Sequence, residues 1–185
     1  MCHELFRDPA FFHLLTRIDA ELAAEAHHGR CPKPECGGPL HVGDFPRKPR
    51  GCPASVREEY SSRLSFTCGW CDARTTPDSV RFLGRRVYVA VALMLLSPPA
   101  GSAGYALGGL LSVPACTLRR WRRWWQRDFQ RTTFWQSVRE RFMPQVAAEA
   151  LPQSLLDRFN GPTCQERLEP LLRFVCPLST ASVIK

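Results

Sequence analysis

The chain has 185 residues, 44% of them aliphatic, aromatic or cysteine, and a formal charge of +8 with a pI near 9.3. That apolar share can build a packed core, which excludes wholesale disorder, and the length allows one domain or two small ones. The positive balance favours a polyanionic partner, because each Lys or Arg set on a phosphate releases condensed counterions.

In chain order, the first element is a helix. Asp8-Pro9 has the form of an N-cap followed by proline at the first helical position, and Phe11, Leu15, Ile18, Leu22 and Ala26 then recur at helical spacing as far as Gly29. This amphipathic helix (residues 1–29) offers its stripe to the next module or to a partner chain. The start, MCHELFRDPAFFHLL, carries charges at Glu4, Arg7 and Asp8 and has no long apolar run, unlike a secretory signal. A reducing, cytoplasmic setting is therefore expected, in which paired cysteines read first as metal ligands.

Residues 30–80 are rich in Pro, Gly and Cys and predict turns and short strands around a metal. Cys31 and Cys36 lie in CPKPECGG, and Cys68 and Cys71 in FTCGWC. Two short loops, each giving two thiolates, meet the tetrahedral demand of one zinc ion at roughly 2.3 Å. Glycine beside the ligands permits the positive φ that turns the loops. Four thiolates close the coordination shell, so the zinc is expected to be structural, one per chain, rather than catalytic. His41 and Cys52 are alternative ligands at the first loop. A redox role for the Cys68 to Cys71 pair lacks the expected βαβ context.

Residues 87–118 carry no charge, but only about ten at their start are continuously apolar, where a span needs roughly 20. This predicts buried helix rather than membrane. The pattern places helices at 81–96, using Phe82, Val89, Leu93 and Leu96, and at 105–111, then a turn at Ser112-Val113-Pro114 and a longer helix over 115–130. Small residues at Ala106, Gly108 and Gly109 suit a close helix crossing. With Val113 in the turn and Leu110, Leu118 and Trp121 between the helices, residues 81–131 form a homeodomain-like helix-turn-helix unit. At 100° per residue, Leu118, Trp121 and Trp125 share one sector of the last helix, and Arg119, Arg120, Arg123 and Arg127 occupy another. Its first residues, Ala115, Cys116, Thr117, Arg119 and Arg120, are placed for base edges, and Arg123 and Arg127 for phosphates. Trp124 lies between the sectors, free to stack on a sugar or pack on a later helix.

Residues 132–185 predict further helices: one in FWQSVRERF capped by Thr133 and ended by Pro144, and one after the capping box Thr163-Cys164-Gln165-Glu166, shortened or kinked by Pro170. His27-His28 resembles a solvated helix end. No nucleophile elbow or phosphate loop occurs, and Glu140, Glu149, Asp157, Glu166 and Glu169 are spaced as on helical surfaces.

Together, CPKPECGG, FTCGWC and SVPACTLRRWRRWW resemble the zinc-ribbon plus helix-turn-helix arrangement at the N-termini of bacterial insertion-sequence transposases and their small regulators, over residues 30–130. The resemblance implies recognition of transposon-end or promoter DNA, with Cys31, Cys36, Cys68 and Cys71 as ligands and Arg119, Arg120 and Arg123 as DNA contacts. The C-x4-C loop departs from the commoner C-x2-C, and no catalytic half is visible. The expectation is thus a mainly α protein with a small β zinc ribbon, non-enzymatic and specific for double-stranded DNA, acting as a transposition accessory or regulator and associated with the nucleoid. Its terminal helices are candidate surfaces for a homodimer or a larger enzyme such as a transposase. The alternatives are a zinc-stabilised adaptor binding RNA or an enzyme through the Arg/Trp helix, and a degenerate transposase fragment.

Overall fold

A computed structural model describes residues 5, 8–48, 51–82 and 114–180. The predicted helix over 105–111, the turn residue Val113, and all but the first two residues of 81–96 lie outside the described residues, and the side chains of Leu118 and Trp121 are not described. The described chain is mainly helical, with two small antiparallel sheets. None of its helices is long and apolar enough to cross a membrane.

Helix α1 spans Pro9–His28, and Asp8 caps it by accepting from the Ala10 amide at 2.9 Å. Its apolar stripe is consumed within the chain. Phe11, Phe12, Leu15 and Ile18 are fully buried in the main core, which also takes Val56, Tyr60, Trp125, Phe129, Trp135 and the leucines of the last helix. Each such burial contributes ~1.5–3 kcal/mol. Phe12, absent from the predicted stripe, widens the buried face, and the Tyr60 hydroxyl donates to its carbonyl at 2.8 Å.

Strands β1 (Leu40–Val42), β4 (Phe66–Cys68) and β5 (Arg74–Thr75) form one antiparallel sheet in the order β1-β4-β5, and β2 (Phe45–Pro46) pairs with β3 (Ser62–Arg63). Alternation sends Leu40, Phe66 and Cys68 to a second, smaller core closed by Ala23 of α1. His27 sits where α1 meets this sheet: its Nε2 donates to the Leu40 carbonyl at 3.0 Å and its ring lies 5.0 Å from that of Phe66. The expected solvated helix end is therefore a docking contact, brought about by the sheet edge folding back under α1.

The arginine helix, Ala115–Arg123, continues through a π-helical turn at Trp124–Asp128 and a short 3-10 turn to Arg131, close to the predicted extent. Trp125 is buried as expected, and Trp124 packs edge-on against it at 5.1 Å and against Phe129 at 5.5 Å, rather than standing free. The next helix, Thr133–Val138, is capped one residue earlier than the sequence suggested: the Thr132 hydroxyl accepts from the Trp135 amide at 3.1 Å. The last helix, Cys164–Val175, starts on the predicted box, with the Glu166 amide donating to the Thr163 hydroxyl at 3.2 Å and that hydroxyl donating to the Glu166 carboxylate at 2.8 Å. It runs through Pro170, because that residue faces solvent, where water can meet the Glu166 carbonyl that lacks its helical donor.

A polar centre joins residues far apart in the chain. Asp19, in the middle of α1, is 3% exposed and forms an ion pair with Arg81 at 2.7 Å, the two side chains being almost wholly buried. It also accepts from the Ser79 hydroxyl at 2.6 Å and the Val80 amide at 2.7 Å. Arg81 reaches on to the Glu59 carbonyl at 2.8 Å and lies 5.1 Å from the Tyr60 ring. The Ser179 hydroxyl accepts from the Ser79 amide at 2.8 Å and from Arg63 at 3.3 Å, joining the C-terminal end to the same network. Replacing Asp19 by Ala leaves a buried guanidinium without its counter-ion, and should lower unfolding free energy by ~3–5 kcal/mol in urea titrations. A loss below about 1 kcal/mol, the scale of an exposed pair, would show that water reaches the site.

Candidate metal centre

Two loops bring four sulfurs together. The first leads from α1 to β1 and is closed by the Cys31 amide donating to the Gly38 carbonyl at 3.0 Å. The second is the turn between β4 and β5, closed by the Cys68 amide donating to the Ala73 carbonyl at 2.9 Å. A further bond, from the Gly69 amide to the Pro39 carbonyl at 2.9 Å, ties one loop to the other, and the Leu40–Cys68 strand pair fixes their register. Glu35, Gly37 and Asp72 take positive φ of 64°, 57° and 55°, the tight left-handed steps that fold the loops around the sulfurs.

The two glycines after Cys36 act differently. Gly37 supplies the left-handed backbone, whereas Gly38 leaves room: a Cβ there would lie 2.7 Å from Cys68 Sγ and 2.9 Å from Trp70 Cγ. The chain can thus run directly beneath the cluster only without a side chain at position 38.

The Sγ atoms of Cys31, Cys36, Cys68 and Cys71 all lie within 4.8 Å of one another, with Cys31–Cys71 and Cys36–Cys68 separations of 3.6 Å. Metal–thiolate bonds of ~2.3 Å at tetrahedral angles require sulfur–sulfur edges of roughly 3.8 Å. The four cysteines therefore fit one tetrahedral ion. Among the described residues they form the single group of three or more His, Cys, Asp or Glu side chains placed to share a metal. His41 and Cys52 are not in it. His41 is exposed on the sheet, and Cys52 is buried in the main core. Cys116 and Cys176 are also free thiols outside the cluster, and Cys164 is disulfide-bonded.

Electrostatics within the cluster call for a cation. Burial works against the Cys68 thiolate but is outweighed by the Trp70 and Cys71 amides and by neighbouring thiols, bringing its pKa to about 7. The Trp70 amide points at Cys68 Sγ from 3.4 Å. At Cys36 the Gly38 amide favours the thiolate, yet the thiols of Cys71, Cys68 and Cys31 together with burial push the group up to about 12. Four sulfurs this close cannot all ionise unaided, because each new thiolate repels the last; a bound metal ion removes that penalty.

The residues expected to meet DNA are placed unevenly. Arg119, Arg120, Arg123 and Arg127 are exposed, but Thr117 is only 6% exposed and does not offer its hydroxyl to a groove. Thr117 sits in the first turn, where its amide donates to the Pro114 carbonyl at 2.9 Å and its side chain points inward. Helical periodicity could have flagged it, since position 117 lies one turn before Trp121 and two before Trp124. No protein-family model, curated protein or solved structure matches the chain.

Metal analysis of purified protein should give one ion per chain, lost in Cys36→Ser or Cys68→Ser and retained in Cys52→Ser and His41→Ala. Because binding displaces thiol protons, affinity should fall as the pH is lowered. Gly38→Ala should weaken retention against a chelator; unchanged retention would mean that the loop shifts away from both Cys68 Sγ and Trp70 to admit the methyl group.

Proposed function

We propose that this chain is a non-enzymatic DNA-binding protein whose cysteine cluster holds a structural zinc ion in a ribbon-like module and whose arginine helix lies on the duplex. The observation that carries the proposal is the state of that helix. Arg119, Arg120, Arg123 and Arg127 are exposed and make no ion pair or hydrogen bond among the described residues, while Trp125 anchors the opposite side in the core. Charge collected on one rigid face without internal counter-ions is suited to an external polyanion. Arg119 and Arg120, near the helix start, suit base edges, and Arg123 and Arg127 suit phosphates.

Zinc is the ion of choice because four thiolates favour a soft or borderline cation at tetrahedral geometry and leave no position for a reacting water. Its binding free energy then serves as folding free energy for a segment with few large apolar residues. The order of cysteine loops and basic helix, as in insertion-sequence proteins, supports an accessory or regulatory role in transposition.

Titration of labelled duplexes by the metal-loaded chain across a salt series should give binding that weakens steeply with salt yet separates sequences. Replacing Arg119 and Arg120 by Ala should leave metal content and melting temperature unchanged and cost ~1–3 kcal/mol per lost base contact. Binding with no preference among duplexes would sink the sequence-specific reading, and capture of structured RNA instead would favour an adaptor.

A further inference from the structure

The solvent face of the three-stranded sheet has no assigned role. Cross-strand pairing sets His41, Thr67 and Arg74 in one row, on the face opposite buried Leu40, Phe66 and Cys68. Phe45 of β2 lies beside the row and carries two guanidinium groups, Arg74 at 3.9 Å from its ring centroid and Arg47 at 5.3 Å. Two like charges on one ring repel each other, and neither is neutralised: among the described residues no carboxylate lies within ion-pair distance of Arg47 or Arg74. The nearby carboxylate of Asp44 is engaged by the Ser65 amide at 3.0 Å.

Among the described residues Arg47 Nη1 donates only to the adjacent Pro46 carbonyl, at 3.3 Å, and the rest of the row is open. The Thr67 hydroxyl and the His41 ring make no hydrogen bond among the described residues. Two glycines keep the surroundings bare: a Cβ at Gly43 would lie 2.9 Å from Thr67 Oγ1, and one at Gly69 would lie 2.8 Å from His41 Nε2. The face therefore combines stacked, oriented guanidinium groups with free hydrogen-bonding groups and no bulky side chain between them. A cation held over an aromatic ring keeps its outer donors free and loses less side-chain entropy when an anion arrives.

We propose that this sheet face is a second contact to the DNA backbone, with Arg47 and Arg74 gripping phosphates and Thr67 and His41 supplying hydrogen bonds beside them. The inference rests on the DNA-binding reading above and extends it. The cysteine module touches the duplex itself as well as supporting its neighbours, and the contact positions without reading sequence.

The test uses the full, metal-loaded chain with labelled duplexes of several sequences, comparing wild type, R47A/R74A, R47K/R74K and R119A/R120A. The inference expects R47A/R74A to weaken binding by roughly tenfold or more on every duplex and to reduce the slope of log affinity against log salt by about 2, one unit per lost phosphate contact. Metal content and melting temperature should stay as in wild type, and R47K/R74K should recover much of the slope because the charge is kept. If R47A/R74A binds like wild type while R119A/R120A does not bind, the sheet-face contact is wrong and the helix reading stands. A loss confined to one sequence would overturn the backbone role. If wild type binds no duplex, both readings fall, and tighter binding of a single-stranded RNA that is lost in R47A/R74A would overturn the choice of DNA.

Discussion

A carboxylate taken out of water in the middle of a helix persists only where its charge and its lone pairs are met, and at Asp19 they are met by one short stretch of chain. Arg81 supplies the counter-charge, while the Ser79 hydroxyl and the Val80 amide take two further acceptor positions. The segment leaving β5 is thereby fixed against α1. Through Ser79 and Arg63 the same network reaches Ser179, so the middle of α1 and the C-terminal part of the described chain are held to one buried point. A hydrophobic contact at this place would tolerate sliding; a satisfied ion pair does not, because any displacement leaves a charge unpaired.

Helix α1 is the strut common to both cores. Its first half enters the main core through Phe11, Phe12, Leu15 and Ile18, and its last turns close the cysteine module through Ala23 and the His27 contact to Leu40. The four stretches distinguished in the sequence are thus not four independent cores: the N-terminal helix, the segment around Tyr60 and the C-terminal helices share one. A metal ion in the thiol cluster would then secure more than two loops, because those loops fix the sheet that α1 rests on.

Basic residues are arranged by the same division between buried and open sides. On the helix beginning at Ala115, the aromatic side goes inward with Trp125, and Arg119, Arg120, Arg123 and Arg127 remain in water. On the sheet, strand alternation sends Cys68 and Phe66 to the interior and Arg74 and Thr67 to the surface. Both surfaces are cationic because core packing uses the apolar members of each element and leaves the charged ones outside, at positions set by the period of helix or strand.

Much of this was readable from the sequence because it depends on neighbours along the chain. Asp8-Pro9 and Thr163-Cys164-Gln165-Glu166 fix helix starts through bonds spanning two or three residues, and the two cysteine loops single out the four thiols that converge because loop spacing limits which can meet. The 3.6-residue period separated Trp125 from the arginines. Other features depend on residues brought together from far apart. Periodicity sets Asp19 one turn after Leu15, at the edge of the apolar stripe of α1, and only the arrival of Arg81, 62 positions later, makes its burial possible. That Cys36 joins the sulfur cluster while His41 faces solvent and Cys52 enters the main core was decided by the antiparallel register of β1 and β4 and by core packing, and the inward position of Thr117 by the packing of its helix. Local bonding and periodicity are written in adjacent residues, whereas desolvation of a charge and the meeting of ligands are properties of the assembled core.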